Sequence, residues 1–377
     1  MILARLSVEN FRNLLPRELT FSPGINIFAG GNGQGKTNLL ESIYTLAIGR
    51  SFRTRRMTDL IAFNSAEARV CGEVCSENAH HQFTVKLNPQ FKSFEINGSK
   101  RDLFEYIGLF NAIFFGSSEL EQFRSDAEQR RRFVDRGICQ LLPAHLRRIA
   151  DYSRVVKQKN SLLRDSVSLY NKSTYEVLDV WDIQISELGA RIVDARSSHV
   201  RNLNEKLACD DRDRFTPENL ALKYIAANKV SSAAGLNSIQ LQLSKQLKEN
   251  RSRELHLKRS IVGPHLDYVA LEVNETPLHQ YASAGQQRSA MLALTLAQMR
   301  LYFETHREYP VFLIDDVDAE LDENRMNRLL TTPSDNTQVF ATTTKPTLIS
   351  SQCISVPNKL FIVESGKIYE PESVQYF

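Results

Sequence analysis

The sequence lacks any apolar run approaching the roughly 18 residues that a membrane-spanning helix requires. Residues 1–5 show no basic leader ahead of an apolar stretch, so we expect a cytoplasmic protein. Cysteines are few: the 377 residues hold five, which are scattered, and only Cys71 and Cys75 are close together. No second pair completes a metal site, which favours free thiols. The net charge is only +3, so any binding of nucleic acid must depend on local clusters of charge.

Glycine is sparse but concentrated, because four of the 16 glycines fall within residues 30–37. This segment matches the phosphate-binding P-loop, G-x-x-x-x-G-K-[ST]. An apolar, strand-like run precedes it and a helical spacing of apolar residues follows. The alternative is a glycine-rich turn before an ordinary helix. The predicted nucleotide-binding residues are Gly30, Gly31, Asn32, Gly33, Gln34, Gly35, Lys36 and Thr37. Lys36 would reach the β and γ phosphates of ATP, and the hydroxyl of Thr37 would bind Mg²⁺.

A second motif lies far downstream, where an apolar strand at residues 309–314 ends in Asp315 and Asp316. Acids at the carboxyl end of a buried strand stand where ligands collect in a parallel sheet. We predict that Asp315 binds Mg²⁺ and that Asp316 orients or deprotonates the attacking water. The alternative is that both acids cap the following turn. ABC-type ATPases typically place glutamate at the second position, so the shorter Asp316 predicts slow hydrolysis.

Between these motifs, Ser283, Gly285 and Gln286 form a Ser-x-Gly-Gln turn before an apolar helix. Such a turn offers a hydroxyl and free N–H groups to an anion, although a plain helix cap would look the same. The order of P-loop, serine turn and acidic strand is typical of ABC-type ATPases. There the serine turn of one subunit closes on ATP bound to another subunit, which predicts a homodimer that forms with ATP.

About 280 residues separate Lys36 of the P-loop from Asp315, so we predict that a domain is inserted between them. Residues 69–97 alternate as an antiparallel meander. Residues 125–255 follow helical spacing, with Ser153 and Asn160 in the predicted helix seam. We therefore predict an α/β protein: an ABC-type P-loop ATPase head with a mixed sheet and an antiparallel meander, plus an inserted helical lid domain. The predicted boundaries are 1–125 and 256–377 for the head and 126–255 for the lid.

Arginines cluster at two places, and such clusters neutralise DNA phosphates even on a chain of small net charge. The alternative is that they form solvated helix faces. The predicted DNA contacts are Arg50, Arg53, Arg55 and Arg56 after the P-loop helix, with Arg131 and Arg132 in the lid. We find no base-reading motif, so binding should follow DNA structure more than sequence.

These motifs together resemble the RecF family of bacterial repair ATPases, which is related to the SMC proteins. The segments that carry the resemblance are residues 30–41, 49–54, 263–265, 281–288 and 315–322. The resemblance implies ATP-dependent dimerisation on duplex DNA or gap junctions and weak, DNA-stimulated ATP hydrolysis that acts as a switch. It also implies binding of single-stranded DNA and roles in DNA replication, repair and the SOS response. The implied partners are RecR and RecO, with which the protein loads RecA. Asp322 is implied to contact the nucleotide.

The sequence departs from the family at a few places. Leu266 and Tyr268 replace a usual arginine and aspartate, and Ala284 replaces a usual glutamine. Many ABC ATPases carry a histidine where Thr342, Thr343 and Thr344 stand here, and the resemblance implies a threonine hydroxyl at the γ-phosphate. Two other classes remain open: the ATPase subunit of a transporter, which would not bind DNA, and a small-molecule kinase, which would transfer phosphate to a metabolite.

Overall fold

The structure, a computed structural model, describes residues 1–76, 79–165, 172–208, 219–231, 233, 235–278, 283–320, 337–345 and 358–371. Within these ranges the strands are β1 (Ile2–Glu9), β2 (Arg17–Thr20), β3 (Ile25–Ala29), β4 (Ala68–Ser76), β5 (Ala79–Leu87), β6 (Lys92–Ile96), β7 (Ser99–Arg101), β8 (Ala112–Phe115), β9 (Leu220–Ile225), β10 (Tyr268–Val273), β11 (Thr276–Pro277), β12 (Val311–Ile314), β13 (Val339–Thr343), β14 (Asn358–Glu364) and β15 (Lys367–Tyr369). The α-helices are α1 (Lys36–Ile48), α2 (Leu103–Tyr106), α3 (Ser117–Arg124), α4 (Ala127–Leu141), α5 (Ala144–Asp165), α6 (Lys172–Ala208), α7 (Leu236–Leu257), α8 (Ala284–His306) and α9 (Val317–Glu320). Single 3₁₀ turns lie at Met57–Leu60, Ala227–Lys229 and Pro264–Leu266.

The chain forms two units, one of residues 1–121 and 288–377 and one of residues 122–287. The first unit contains two six-stranded sheets. One is antiparallel in the order β2-β1-β4-β5-β6-β7 and includes the predicted meander. The other has the order β15-β14-β3-β13-β12-β8 and is parallel except for β15. The predicted α/β head and helical insertion are confirmed, with the strands divided between two sheets.

The parallel sheet positions the carboxyl ends of three neighbouring strands side by side. Strands β3, β12 and β13 are buried along their whole length, which explains the continuous apolar run of β12. Strand β13 lies between the other two and pairs with both in parallel. The loops that follow β3 and β12 therefore leave the sheet at the same edge.

The second unit combines helices α4 to α7 with a three-stranded antiparallel sheet in the order β11-β10-β9. Its apolar core includes Tyr152 and Val156 of α5, Ile185 and Ile192 of α6 and Leu243 of α7. Because β10 pairs with β9, residues 256–287 belong to this unit. No helix in the described ranges is long and apolar enough to cross a membrane.

The predicted seam of α5 is wrong at Ser153, which is exposed. Lys159 faces the core instead and is only 1% exposed. Its ammonium donates hydrogen bonds to Asp182 Oδ1 at 2.7 Å and to Glu254 Oε2 at 2.5 Å. A lysine between two carboxylates can occupy a core position because its charge is compensated there.

A second buried ion network surrounds Arg196 of α6. Its guanidinium donates to Asp135 Oδ1 at 2.8 Å, to Asp135 Oδ2 at 2.9 Å and to Asp267 Oδ2 at 2.9 Å. It also donates to the carbonyl of Pro264 at 2.7 Å. The Arg196 charge and its hydrogen bonds outweigh burial and hold the pKa of Asp135 well below its usual value. The network ties α4 and α6 to the segment before β10.

The neighbouring Gly263 and His265 have a structural role in this unit. Gly263 has φ 128°, and a Cβ there would lie 2.3 Å from the Tyr152 hydroxyl oxygen. That hydroxyl is 2.7 Å from His265 Nδ1. Only glycine fits such a close approach at a positive φ, which accounts for this part of the Gly-Pro-His motif. Leu266, which stands where the RecF family usually has arginine, is 46% exposed.

Candidate nucleotide-binding site

The P-loop turns between β3 and α1 with positive φ angles at two of its glycines. Gly33 and Gly35 have φ angles of 76° and 115°, where a side chain would be strained. A Cβ on Gly30 would lie 2.3 Å from the Val363 carbonyl oxygen of β14. The glycine positions therefore follow from backbone conformation and close packing, and they leave the N–H groups at the start of α1 facing the loop.

Lys36, the first residue of α1, folds back over this loop. Its ammonium donates hydrogen bonds to the carbonyl oxygens of Gly30 and Gly31 at 2.7 and 2.9 Å. The side chain is only 4% exposed, so these carbonyls provide the polar partners that the buried cation needs. The ammonium is thereby held within the turn where phosphate oxygens would bind.

Thr37 and Asp315 meet at the sheet edge, although 278 residues separate them. The Thr37 hydroxyl lies 2.9 and 3.0 Å from the two carboxylate oxygens of Asp315. Thr342 of β13 donates its hydroxyl to Asp315 Oδ1 at 2.7 Å. Burial raises the pKa of Asp315 above its usual value, and the hydrogen bond from Thr342 opposes that rise. A divalent cation beside Asp315 would favour the ionised form.

The oxygen donors at this edge fit Mg²⁺. Magnesium prefers hard oxygen ligands and is usually held by one or two carboxylates together with substrate phosphates and water. Thr37 supplies a hydroxyl and Asp315 supplies a carboxylate within hydrogen-bonding distance of it. The sequence predicts these two residues as metal ligands, and the structure places them within hydrogen-bonding distance of each other.

Asp316 follows Asp315 with a φ of 49°. Aspartate and asparagine are the non-glycine residues that best tolerate this left-handed conformation. The Asp316 N–H donates to the Thr342 hydroxyl oxygen at 2.7 Å. Since that hydroxyl also donates to Asp315, Thr342 fixes both acids of the motif from the neighbouring strand β13. The family resemblance implies a threonine hydroxyl at the γ-phosphate, whereas the hydroxyl of Thr342 binds the two acids.

The turn between β14 and β15 contacts the P-loop at Gln34, a feature that no sequence motif revealed. The Gly366 N–H donates to the Gln34 carbonyl at 2.8 Å, and the Ser365 N–H donates to its side-chain Oε1 at 2.6 Å. Gly366 has φ 81°, and a Cβ there would lie 1.9 Å from the Asn13 carbonyl oxygen. The Ser-Gly pair reads as an ordinary hairpin turn, so its contact with the loop depends on the tertiary fold.

Glu41 of α1 is fully buried and organises the segment after the P-loop helix. Arg12 donates to its two carboxylate oxygens at 2.6 and 2.7 Å, and Ser51 also donates to this carboxylate. The Arg53 guanidinium lies 3.7 Å from Glu41 Oε2 and donates to Asn38 Oδ1 at 2.8 Å. Burial raises the pKa of Asp315, and the charge of Arg53 partly opposes that rise. Since Asn38 directly follows Thr37, this predicted DNA contact lies close to the nucleotide site.

Glu41→Gln is expected to lower the free energy of unfolding by roughly 3 kcal/mol, because it leaves a largely buried arginine without its carboxylate. Urea denaturation followed by circular dichroism measures the change. Arg5→Ala is the matched control: Arg5 is 54% exposed and its carboxylate partners lie at 3.7 Å, so its loss should cost at most about 1 kcal/mol. Equal losses in the two variants would contradict a structural role for Glu41.

Ser283 directly precedes α8 and forms reciprocal capping bonds with Gln286. The Gln286 N–H donates to the Ser283 hydroxyl at 3.2 Å, and the Ser283 N–H donates to Gln286 Oε1 at 2.9 Å. This is a capping box, so the predicted alternative of a helix cap is present. Residues 283–286 are nevertheless exposed, and the hydroxyl hydrogen of a capping serine can still donate to an anion.

The remaining predicted residues differ in their surroundings. Arg55 and Arg56 are exposed. Arg131 donates to the carbonyl of Asp267 at 2.8 Å, and Arg132 forms an ion pair with Glu128 one helical turn away. Arg50 is exposed and interacts with at least one other residue. Asp322 lies outside the described residues.

The fold and this site define a P-loop nucleotide-binding head of the ABC type. The chain matches the family described as "RecF/RecN/SMC N terminal domain" over residues 2–368. It is 36% identical over 377 residues to the "DNA replication and repair protein RecF" of Streptococcus suis, covering 99% of this chain and 100% of that protein. Identity to the protein of the same name from Staphylococcus aureus is 34% over 371 residues, covering 98% and 100%. The chain belongs to the RecF family.

A solved structure supports the same assignment. "Structure of the recombination mediator protein RecF-ATP in RecFOR pathway" matches this fold with a TM-score of 0.87 at 27% identity, covering 98% of this chain and 97% of that one. Family membership favours a RecF-like ATPase over the transporter subunit and the small-molecule kinase that the sequence alone left open.

Proposed function

We propose that this chain is an ATP-dependent DNA-binding protein of replication and recombinational repair, in which ATP controls dimerisation. The observation that carries the proposal is the joining of Thr37, Asp315 and Thr342 at the edge of the parallel sheet, beside Lys36. Relatives named for DNA replication and repair, and a relative solved with ATP, support it. By the same relationship we propose cooperation with RecR, RecO and RecA.

At the nucleotide, the residues have separate tasks. The P-loop N–H groups and Lys36 bind the phosphates, while Thr37 and Asp315 would hold Mg²⁺, which would neutralise phosphate charge. Asp316 accepts a proton from the water that attacks the γ-phosphorus; the bond from that phosphorus to the β–γ bridging oxygen breaks, giving ADP and phosphate. The carboxylate of Asp316 is one methylene shorter than a glutamate, so turnover is slow and ATP persists long enough to act as a switch.

ATP would join two copies through the serine turn. The exposed N-terminus of α8 carries Ser283 and Gln286, and helix N-termini attract phosphate through their free N–H groups and partial positive charge. In a two-fold dimer each copy contributes one such turn to the other copy's P-loop, so both sites close together. Hydrolysis removes the shared phosphate and opens the dimer.

DNA would be held chiefly through its phosphates. Arg55 and Arg56 are exposed and adjacent, which suits them to this contact better than the more engaged Arg131 and Arg132. The position of Arg53 near Glu41 and Asp315 would connect these contacts to the nucleotide. Because phosphate contacts dominate, affinity should fall steeply with added salt.

The test is dimerisation and retention of duplex DNA with and without Mg²⁺-ATP, comparing the wild type with Ser283→Arg. A bulky cation at the serine turn should abolish ATP-dependent dimerisation and the DNA retention that depends on it. Ser231→Arg is the control, since Ser231 is also exposed in the same unit and only its backbone N–H, which donates to Gln242 Oε1 at 2.8 Å, takes part in a hydrogen bond of the described structure. Dimers of Ser283→Arg that match those of the control would contradict the proposal.

A further inference from the structure

Phe63 is the most exposed large apolar side chain in the described part of the chain, at 93%. It lies in the first unit between the 3₁₀ turn Met57–Leu60 and β4. The residues that precede Phe63 are anchored, because Leu60 is 2% exposed and Phe11, which pairs with Ile61, is fully buried. An aromatic ring held in water beside a buried anchor is well placed to stack on a ligand.

The backbone around Phe63 is fixed by hydrogen bonds. The Ala62 N–H donates to the Asn10 carbonyl at 2.7 Å, and the Ser65 N–H donates to the Ala62 carbonyl at 3.0 Å across the phenylalanine. Asn64 takes up the turn with φ 64°. A ring on a fixed turn loses little conformational freedom when it binds, so its contact surface is available at low entropic cost.

The same segment carries the exposed arginines. Arg55 and Arg56 directly precede the 3₁₀ turn, and the Asp59 N–H donates to the Arg56 carbonyl at 3.3 Å. Four residues of 3₁₀ helix rise by roughly 8 Å, which is about two base steps of a duplex. An arginine pair followed by a protruding aromatic ring combines the two elements used for single strands: phosphate contact and base stacking.

We propose that Phe63 is a base-stacking residue that recognises the place where a DNA duplex ends in unpaired bases. Intact duplex stacks its bases on one another, so it offers the ring only phosphates and groove edges. At a gap the terminal base pair or the first unpaired base has a free face, and Phe63 stacks on that face while Arg55 and Arg56 contact the adjacent phosphates. The inference rests on the proposed function, because it requires that the chain bind DNA.

The experiment measures affinity for two DNA circles of one sequence, one covalently closed and one carrying a short gap. The wild type should prefer the gapped circle. Phe63→Ala should weaken binding to the gapped circle by roughly 10-fold, the effect of losing one stacked base. The affinity for the closed circle should not change. Phe63→Trp should retain the preference. Phe91→Ala is the control, since Phe91 is 58% exposed in the loop between β5 and β6 and has no arginine pair beside it in the sequence.

A fluorescent 2-aminopurine at the first unpaired position provides a second reading, because stacking quenches it. Quenching by the wild type and by Phe63→Trp, but not by Phe63→Ala, supports the inference. Unchanged gap preference and quenching in Phe63→Ala overturn it and leave the proposed function standing. A wild type that binds neither circle with Mg²⁺-ATP overturns both.

Discussion

Asp316→Asn is expected to slow ATP hydrolysis by about 100-fold or more, the usual contribution of a general base, while ATP still binds. The substitution should change the side chain of residue 316 without changing its backbone conformation. Asn accepts the left-handed backbone that Asp316 adopts at φ 49°, and the N–H that donates to Thr342 is retained. The change therefore removes the base and leaves the geometry of the acidic motif in place.

The ATP-bound dimer of Asp316→Asn should consequently live longer than that of the wild type. Single-turnover kinetics measures the hydrolysis rate, and light scattering after removal of free ATP measures the dimer lifetime on the same sample. Asp102→Asn is the matched control, since Asp102 caps α2 by accepting from the Glu105 N–H and asparagine caps a helix equally well. Wild-type rates and lifetimes in Asp316→Asn would show that another group activates the water.

The sequence predicts the two halves of the nucleotide site because each half has a local pattern. The P-loop needs glycine at fixed positions, and β12 is buried on both faces, so it appears as a continuous apolar run that ends in acids. Strand β13, which lies between these two halves, has no such local pattern. Strand order is set by tertiary packing, so only the structure reveals that β13 lies between β3 and β12 and brings Thr342 to both acids.

Charged residues that are buried account for other differences. The hydrophobic period predicts Ser153 on the helix seam, yet Ser153 is exposed and Lys159 is buried between Asp182 and Glu254. A pattern based on polarity assigns every lysine to solvent, and the compensating acids lie on other helices. Arg53 stays a predicted DNA contact, since its side chain is 42% exposed; what the sequence does not show is its proximity to the buried carboxylate of Glu41 in α1.

Lys36→Ala should weaken ATP binding by about 100-fold or more, because the ammonium would form charge-assisted bonds worth roughly 1.5–3 kcal/mol each to two phosphates. Without nucleotide, its donors are satisfied by the carbonyls of Gly30 and Gly31. These carbonyls can turn to water when the side chain is removed, so the fold should survive. Lys86→Ala is the control: its side chain is 38% exposed and pairs with Glu95 in the antiparallel sheet.

Thermal unfolding with rising Mg²⁺-ATP separates binding from hydrolysis. A ligand that binds only the folded state raises the melting temperature with concentration, so the wild type, Lys86→Ala and Asp316→Asn should all shift upward while Lys36→Ala stays flat. Dimers should then form with ATP in the first three and fail in the last. If Lys36→Ala shifted like its control, the P-loop would not be the site through which ATP acts, and the coupling proposed between Ser283 and the phosphates would lose its basis.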